Sequence, residues 1–303
     1  MTKIITICGP TGIGKTGFAI AMARELNTEI IGADSMQIYK YMDIGTAKPD
    51  DRERRLATHH LVDFLDPAQN FDAKQFTALA DQVICDLAQQ GRVPVVAGGT
   101  GLYIRALIHG LFRGKPVCSA TLDKLNQTLE EEGGHALHTQ LAQCDPEAAE
   151  KIHPNDGFRI VRALEVFLTT GVPISQCRQT HDFQSDRYQS LTFGLHMDRK
   201  LLYERINQRV EIMMEQGLLD EVKSLVSRGY SLDLKSMQSI GYRHMGMYLK
   251  GDVSLDEAVR LLKRDTSRYA KRQFTWFNKE KNLIWINSQD IEKAIETAKD
   301  FLR

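Results

Sequence analysis

Residues Gly9-Pro10-Thr11-Gly12-Ile13-Gly14-Lys15-Thr16 spell G-x-x-x-x-G-K-T directly after the apolar, β-branched run 4–8. A chain with this segment is expected to end its first strand in a glycine-rich turn and to open a helix at Lys15. The glycines let backbone N–H groups turn inward toward phosphate oxygens, and the helix N-terminus adds partial positive charge. Lys15 supplies a full charge, and the Thr16 hydroxyl can hold Mg²⁺. The expected ligand is a di- or triphosphate.

Short apolar or β-branched runs at 4–8, 29–33, 61–65 and 93–97 alternate with helical patterns, which argues for a parallel sheet. After Leu111 the pattern changes to helix and loop until about Ser190. A strand reading returns at 191–197, followed by a long helical stretch at 199–228 and a last strand at 283–287. The expected fold is therefore α/β: a P-loop NTPase-like, doubly wound parallel sheet with a helical insertion domain. The core is discontinuous, residues 1–114 and 191–303, and the insertion is 115–190. Ser254-Leu255-Asp256-Glu257 fits a capping box opening a helix toward Phe277.

No strand closes on an Asp in the manner that holds Mg²⁺ through water in nucleotide hydrolases. The run at 94–97 ends instead in Gly98-Gly99-Thr100-Gly101. The Asp that does follow an apolar strand is Asp34, in Asp34-Ser35-Met36-Gln37, at a strand end beside the phosphate loop. It suits a general base, or it orders a turn. The Gly98–Gly101 segment reads equally as close approach to a ligand, with Thr100 at the sheet edge, or as a tight turn.

Lys plus Arg equals Asp plus Glu at 39 each, so a polyanionic partner must be met by a local basic patch. Candidates are Arg159 with Arg162, Arg205 with Arg209, and Arg260, Arg264, Arg268 and Arg272 at i+4 steps. Residues 260–281 hold eight basic groups against two acids. A solvated helix face would look the same. His59-His60 and His135-x-x-His138 lack the Cys or carboxylate company of a zinc site. The five cysteines, Cys8, Cys85, Cys118, Cys144 and Cys177, are widely spaced, without a C-x-x-C pair, and read as free thiols in a reducing cytoplasm. No signal-peptide pattern and no apolar run of about 18 residues occurs, so no membrane segment is expected.

Six blocks occur together in one order. They are the phosphate loop; Asp34-Ser35-Met36-Gln37-Ile38-Tyr39; Met42-Asp43-Ile44-Gly45-Thr46-Ala47-Lys48-Pro49; Gly98-Gly99-Thr100-Gly101-Leu102-Tyr103; Gly241-Tyr242-Arg243; and Ala270-Lys271-Arg272-Gln273-Phe274-Thr275-Trp276. With them the chain resembles, from end to end, the bacterial tRNA dimethylallyltransferase (tRNA isopentenyltransferase) family. The resemblance implies transfer of the dimethylallyl group of dimethylallyl diphosphate to N6 of the adenosine 3′-adjacent to the anticodon of tRNA, with Mg²⁺. It implies that the phosphate loop, a type commonly taken for an ATP site, binds the diphosphate of the prenyl donor, with Thr16 toward the metal. Asp34 matches the proposed base, Thr100 a residue that hydrogen-bonds near the reacting amine, and Lys15 and Arg209 the groups that hold the leaving diphosphate. Contacts to the tRNA anticodon stem-loop fall on Asp34, Ser35, Met36, Gln37 and Thr100, on Phe158, Arg159, Ile160, Val161 and Arg162 of the insertion, and on Gln238, Gly241, Tyr242 and Arg243. The family commonly has Gln-Arg-x-Gln-Arg in the second segment; here only the two arginines remain, which fits phosphate contact better than base contact.

A cytoplasmic monomer is expected. Two other readings share the phosphate loop, a P-loop nucleotide or small-molecule kinase and a prenyltransferase acting on AMP. The Asp34 segment and the Gly-Gly-Thr strand end speak against the kinase, and the insertion and basic helix against the AMP enzyme.

Overall fold

The computed structural model describes residues 1–111, 119–181 and 186–303. The chain divides into two compact units, Met1–His109 with Asp186–Arg303, and Gly110–Ser185. The expected boundary at 114/115 and Cys118 lie outside the described residues. The return to the first unit comes earlier than the sequence suggested, because Arg187 N donates to the Ile108 carbonyl at 2.7 Å before the strand begins.

The first unit is built on six parallel strands, β1 (Lys3–Cys8), β2 (Ile30–Gly32), β3 (His59–His60), β4 (Val95–Gly98), β5 (Gln189–His196) and β6 (Leu283–Asn287), in the order β3-β2-β4-β1-β5-β6. Their companions are α1 (Lys15–Glu25), α2 (Asp51–Leu56), α3 (Ala73–Gln89), α4 (Gly101–His109) and, in the second unit, α5 (Ser119–Glu132), α6 (Gly134–Cys144), α7 (Pro146–Lys151), α8 (Gly157–Thr170) and α9 (Ile174–His181). The chain closes with α10 (Arg199–Glu215), α11 (Leu218–Ser227), α12 (Tyr242–Lys250), α13 (Leu255–Phe277) and α14 (Ile291–Leu302).

β1 is buried from Ile4 to Cys8, as a central parallel strand covered on both faces must be. Ile5 and Ile7 pack with Phe18, Met22, Phe193, Leu202 and Ile206. β1 lies between β4 and β5, in register Ile5 with Val95 and Ile5 with Leu191. The connection from β1 leads to β2 on one side and that from β4 to β5 on the other, so a crevice opens at the carboxyl ends of these two neighbours.

Three expected elements differ. The run 61–65 is not a strand: Leu61 and Asp63 take φ of 58° and 62°, and β3 is only the two residues before them. The amides of Asp63, Phe64 and Leu65 bond instead to the carbonyls of Gln37 and Ile38. The helical stretch 199–228 is two helices, broken at Gly217 with φ 96°. At the start of α13 the Ser254 hydroxyl accepts from Glu257 N, but the Glu257 carboxylate pairs with Arg260 rather than reaching back.

The second unit has its own core of Leu125, Leu137, Leu141, Ile152, Ile160 and Leu164. Asp145, buried, caps α7 through Ala148 N at 3.0 Å and accepts Ser175 N at 2.9 Å.

Candidate active site

The phosphate loop leaves β1 with φ of 147° at Gly9, 83° at Gly12 and 104° at Gly14, values only glycine adopts without strain. Ile13 between them is fully buried and anchors the loop in the core. The loop forms one wall of a cavity of about 390 Å³, with Thr11, Gly12, Gly14, Lys15 and Thr16 on that side. The lining also includes Asp34 and Gln37 from the turn after β2, Arg205, Gln208 and Arg209 from α10, and Tyr269 and Gln273 from α13.

The cavity's charge is unbalanced. Lys15 Nζ donates to the Pro10 carbonyl at 2.8 Å and has no ion pair to a described residue. Burial pushes its ammonium down to about 8; Asp34 opposes the shift and Arg209 adds to it. Burial likewise lowers the Arg209 guanidinium, which has no ion-pair partner among the described residues. Two partly buried cations without ion-pair partners among the described residues cost free energy that a bound anion would recover. The Thr16 hydroxyl lines the same cavity and makes no hydrogen bond to a described residue, so it is available to a metal. Among the described residues no group of three or more His, Cys, Asp or Glu side chains could hold a metal by itself. Mg²⁺ would therefore sit on Thr16 and on oxygens of a bound phosphate and water, a set that suits it.

Asp34 orders the turn, one of the two parts that its position allowed. Its Oδ1 accepts Met36 N at 2.8 Å and Gln37 N at 3.3 Å, which orders the turn after β2, while Oδ2 has no hydrogen-bond partner among the described residues. Thr100 ties two strand ends together: its amide donates to the Ala33 carbonyl at 3.2 Å, and its Oγ1 accepts Ser35 N at 3.0 Å. The glycines around it serve the protein's own packing. A Cβ at Gly98 would meet the Ala33 carbonyl oxygen at 2.0 Å, one at Gly99 the Gln273 amide at 2.4 Å, and one at Gly101 the Trp276 indole at 2.2 Å.

Of the residues expected at tRNA, Gly241 is buried and the side chains of three others are internal. Tyr242 is fully buried, and Ile160 and Val161 belong to the core of the second unit. Their side chains support neighbours and cannot themselves meet a nucleic acid. Phe158 is 81% exposed, and Arg159 and Arg162 are exposed beside it, paired with Asp156 and Glu165. Gln238 is exposed, with its amide on the Leu232 carbonyl. Arg243 joins His244, Arg264 and Arg268 around Asp265, whose carboxyl these partners hold well below the usual range.

Reasoning from sequence missed Gln208, Tyr269 and Gln273. The block containing Gln273 was visible, but its partners Thr11 and Gly99 are distant in sequence. Of the histidines singled out, His60 pairs with Glu29, His138 Nε2 meets the carbonyls of Ala149 and Ile152, and His59, its pKa lowered by burial, lines the cavity. Cys8, Cys85 and Cys144 are free thiols. No helix among the described residues is long and apolar enough to cross a membrane.

Residues 37–280 match the family model described as IPP transferase. The chain is 51% identical to the tRNA dimethylallyltransferase of Desulfosudis oleivorans over 99% of its own length and 96% of that protein. It is 47% identical to that of Acetivibrio thermocellus over 100% of its own length and 98% of that protein. Among solved structures it resembles the tRNA isopentenylpyrophosphate transferase of Bacillus halodurans, with TM-score 0.75 and 40% identity over 100% of this chain and 97% of that one. A eukaryotic dimethylallyltransferase acting on tRNA superposes with TM-score 0.82 at 27% identity, covering 100% of this chain and 80% of that one.

Proposed function

The chain belongs to the IPP transferase family, and we propose that it transfers the dimethylallyl group of dimethylallyl diphosphate to N6 of the adenosine 3′-adjacent to the anticodon in tRNA, releasing diphosphate. One observation carries this reading. A single cavity joins two unpaired cations at a phosphate loop to a carboxylate with one uncommitted oxygen, Asp34.

In this reading the loop amides, Lys15 and Arg209 bind the diphosphate and stabilise the charge that grows on it as the allylic C–O bond breaks. Mg²⁺, when bound at Thr16, neutralises further charge on the leaving diphosphate. Adenine N6 is a poor nucleophile because its lone pair is delocalised into the ring. Asp34 Oδ2 accepts the N6 proton as the new C–N bond forms. Oδ1, held by the amides of Met36 and Gln37, fixes the carboxylate plane. Thr100 holds the ends of β2 and β4 together next to Asp34, and the adenosine reaches the cavity by leaving the anticodon stack. The exposed Arg159, Arg162 and Gln238 supply tRNA contacts. The reading includes a cytoplasmic monomer, in keeping with the free thiols.

Incubation with radiolabelled dimethylallyl diphosphate, Mg²⁺ and either unmodified tRNA or AMP tests it. Label is expected in tRNA at the nucleoside after the anticodon; label in AMP alone, or in neither, would overturn the proposal.

A further inference from the structure

We propose that Glu221, on α11 and outside the cavity lining, is a positioning residue for base recognition: it holds residues 43–47 so that Gln37 offers the cavity an acceptor oxygen and no donor, which selects an exocyclic amine. This deepens the preceding reading and rests on it.

Glu221 Oε2 accepts the amides of Asp43 at 2.9 Å and Ile44 at 2.8 Å, and Oε1 accepts the amide of Gly45 at 3.2 Å and the Tyr242 hydroxyl at 2.6 Å. Three consecutive amides turned to one side form an anion nest, and here the anion is the protein's own carboxylate. The same loop is pressed from a second direction by the buried Tyr242 ring, since a Cβ at Gly45 would lie 2.5 Å from it. Burial and the adjacent Glu221 raise the Tyr242 phenol well above its ordinary range, so it remains a donor at neutral pH.

The loop passes this fixed geometry on to Gln37. Gln37 Nε2 donates to the carbonyls of Thr46 at 3.2 Å and Ala47 at 2.9 Å, which uses both of its hydrogens. The Thr46 hydroxyl closes the turn on the Met42 carbonyl at 2.6 Å. The Gln37 backbone is held as well, its carbonyl by Asp63 N and its amide by Asp34 Oδ1. What remains is Oε1, which has no hydrogen-bond partner among the described residues, on a side chain that lines the cavity with Thr46. Flipping the carboxamide would set Oε1 against two carbonyl oxygens and lose two hydrogen bonds. Gln37 is thus an acceptor only: it can take a hydrogen from adenine N6, and it meets the keto oxygen of hypoxanthine or guanine with repulsion.

The test uses the full chain with Glu221→Gln, Gln37→Ala and the double variant. It reads kcat/KM for unmodified tRNA, the Kd for dimethylallyl diphosphate, the thermal midpoint, and the affinity for two anticodon stem-loops with adenosine or inosine at the target. Glu221→Gln is expected to lower kcat/KM for tRNA about tenfold, to leave donor affinity within about twofold, and to narrow the adenosine preference. In the Gln37→Ala background it should cost nothing further, because the effect runs through Gln37. An equal loss in both backgrounds, or an undiminished adenosine preference, overturns the proposal. If Glu221→Gln melts too low to assay, Tyr242→Phe replaces it, removing one of the four bonds and keeping the ring; adenosine preference should then narrow in the same direction, and an unchanged preference is again refutation. Wild-type protein that prefers the adenosine loop but prenylates no tRNA faults the function and not this device. Wild-type protein that prenylates tRNA without that preference faults this device alone.

Discussion

Gln273 Oε1 accepts the Thr11 amide at 2.8 Å, across 262 residues of sequence, while its Nε2 donates to the Gly99 carbonyl at 2.9 Å. One buried carboxamide therefore clamps the phosphate loop to the end of β4. Gln273→Leu leaves an amide and a carbonyl without partners in a buried place, at a cost of about 1 to 3 kcal/mol per group. The expected outcome is a lower thermal midpoint together with weaker diphosphate binding. Gln273→Glu keeps the Thr11 acceptor but sets a carboxylate against the Gly99 carbonyl and in a cavity that takes an anion, so its diphosphate affinity measured by calorimetry should fall further than in Gln273→Leu. An unchanged affinity in Gln273→Leu would show that the Thr11 bond does not organise the loop.

The Lys15 ammonium sits at about 8 because burial removes it from water, so its charge is complete below that value and is lost as pH rises through it. Donor affinity should accordingly be highest near neutral pH and decline above about 8, with the bound complex titrating higher because the diphosphate favours the charged amine. Lys15→Ala should lower donor affinity and turnover, abolish this pH dependence, and leave tRNA binding intact. Titrations of dimethylallyl diphosphate from about pH 7 to 9.5 decide it: a variant with the wild-type pH profile would remove Lys15 from the diphosphate site.

Asp34→Ala should slow the chemical step by about 10²- to 10⁴-fold, the range for a positioned base. Asp34→Asn is the sharper variant, since its amide oxygen still accepts the amides of Met36 and Gln37 that now fall on Oδ1. Single-turnover rates should drop in both, with the turn retained only in Asp34→Asn. A rate within a few-fold of wild type for Asp34→Asn would reassign the carboxylate to ordering the turn.

The parts of the molecule that were readable from sequence are those whose cause is local. The phosphate loop follows from its glycines, and β1 from a run of β-branched residues buried on both faces. Gly217, which splits α10 from α11, carried a local signal that an amphipathic pattern continuing past it concealed. The run 61–65 is β-branched and apolar enough for a strand, yet Leu61 and Asp63 turn left-handed because the carbonyls of Gln37 and Ile38 compete for its amides. No local pattern announces that competition. The same holds for Tyr242: the resemblance marked it as a tRNA contact, whereas its ring is wedged over Gly45 and its hydroxyl spent on Glu221. Gln273 and Tyr269 belong to the site only because α13 packs across the end of the sheet.

Gly45→Ala tests the contact between the 43–47 loop and α12. The added methyl would fall 2.5 to 2.9 Å from the Tyr242 ring and hydroxyl, which are buried and held by Glu221, so neither partner can yield cheaply. A loss of about 1 to 3 kcal/mol in stability is expected, read as a lower midpoint in denaturant with an unchanged slope. Gly17→Ala, at a glycine that like Gly45 has no positive φ and where a Cβ meets nothing within 4 Å, serves as the control.

The arginine stripe on α13 is not uniform, and its differences decide how to test it against tRNA. Arg260 is bonded twice to Glu257, and Arg264 lies at 2.8 Å from Asp265, so both charges are largely met on their own helix. Arg268 reaches Asp265 only at 3.7 Å with most of its side chain exposed, and Arg272 lies over the Tyr269 ring at 5.6 Å without an ion pair to a described residue. The free charge of the stripe is therefore concentrated toward the end of α13 that carries Tyr269 and Gln273 into the cavity. Arg268→Gln with Arg272→Gln should weaken binding of every tRNA by a similar factor, because phosphate contacts carry no base information. The slope of log affinity against log salt should flatten by about 1.5, two contacts at about 0.7 to 0.9 each. Arg260→Gln, made in parallel, should change neither, since Glu257 already holds that charge. Affinities measured from about 50 to 200 mM salt separate the cases: an unchanged slope in the double variant would leave the stripe an ordinary solvated face, and equal effects from Arg260→Gln would mean that pairing with helix acids does not set which arginines meet the phosphates.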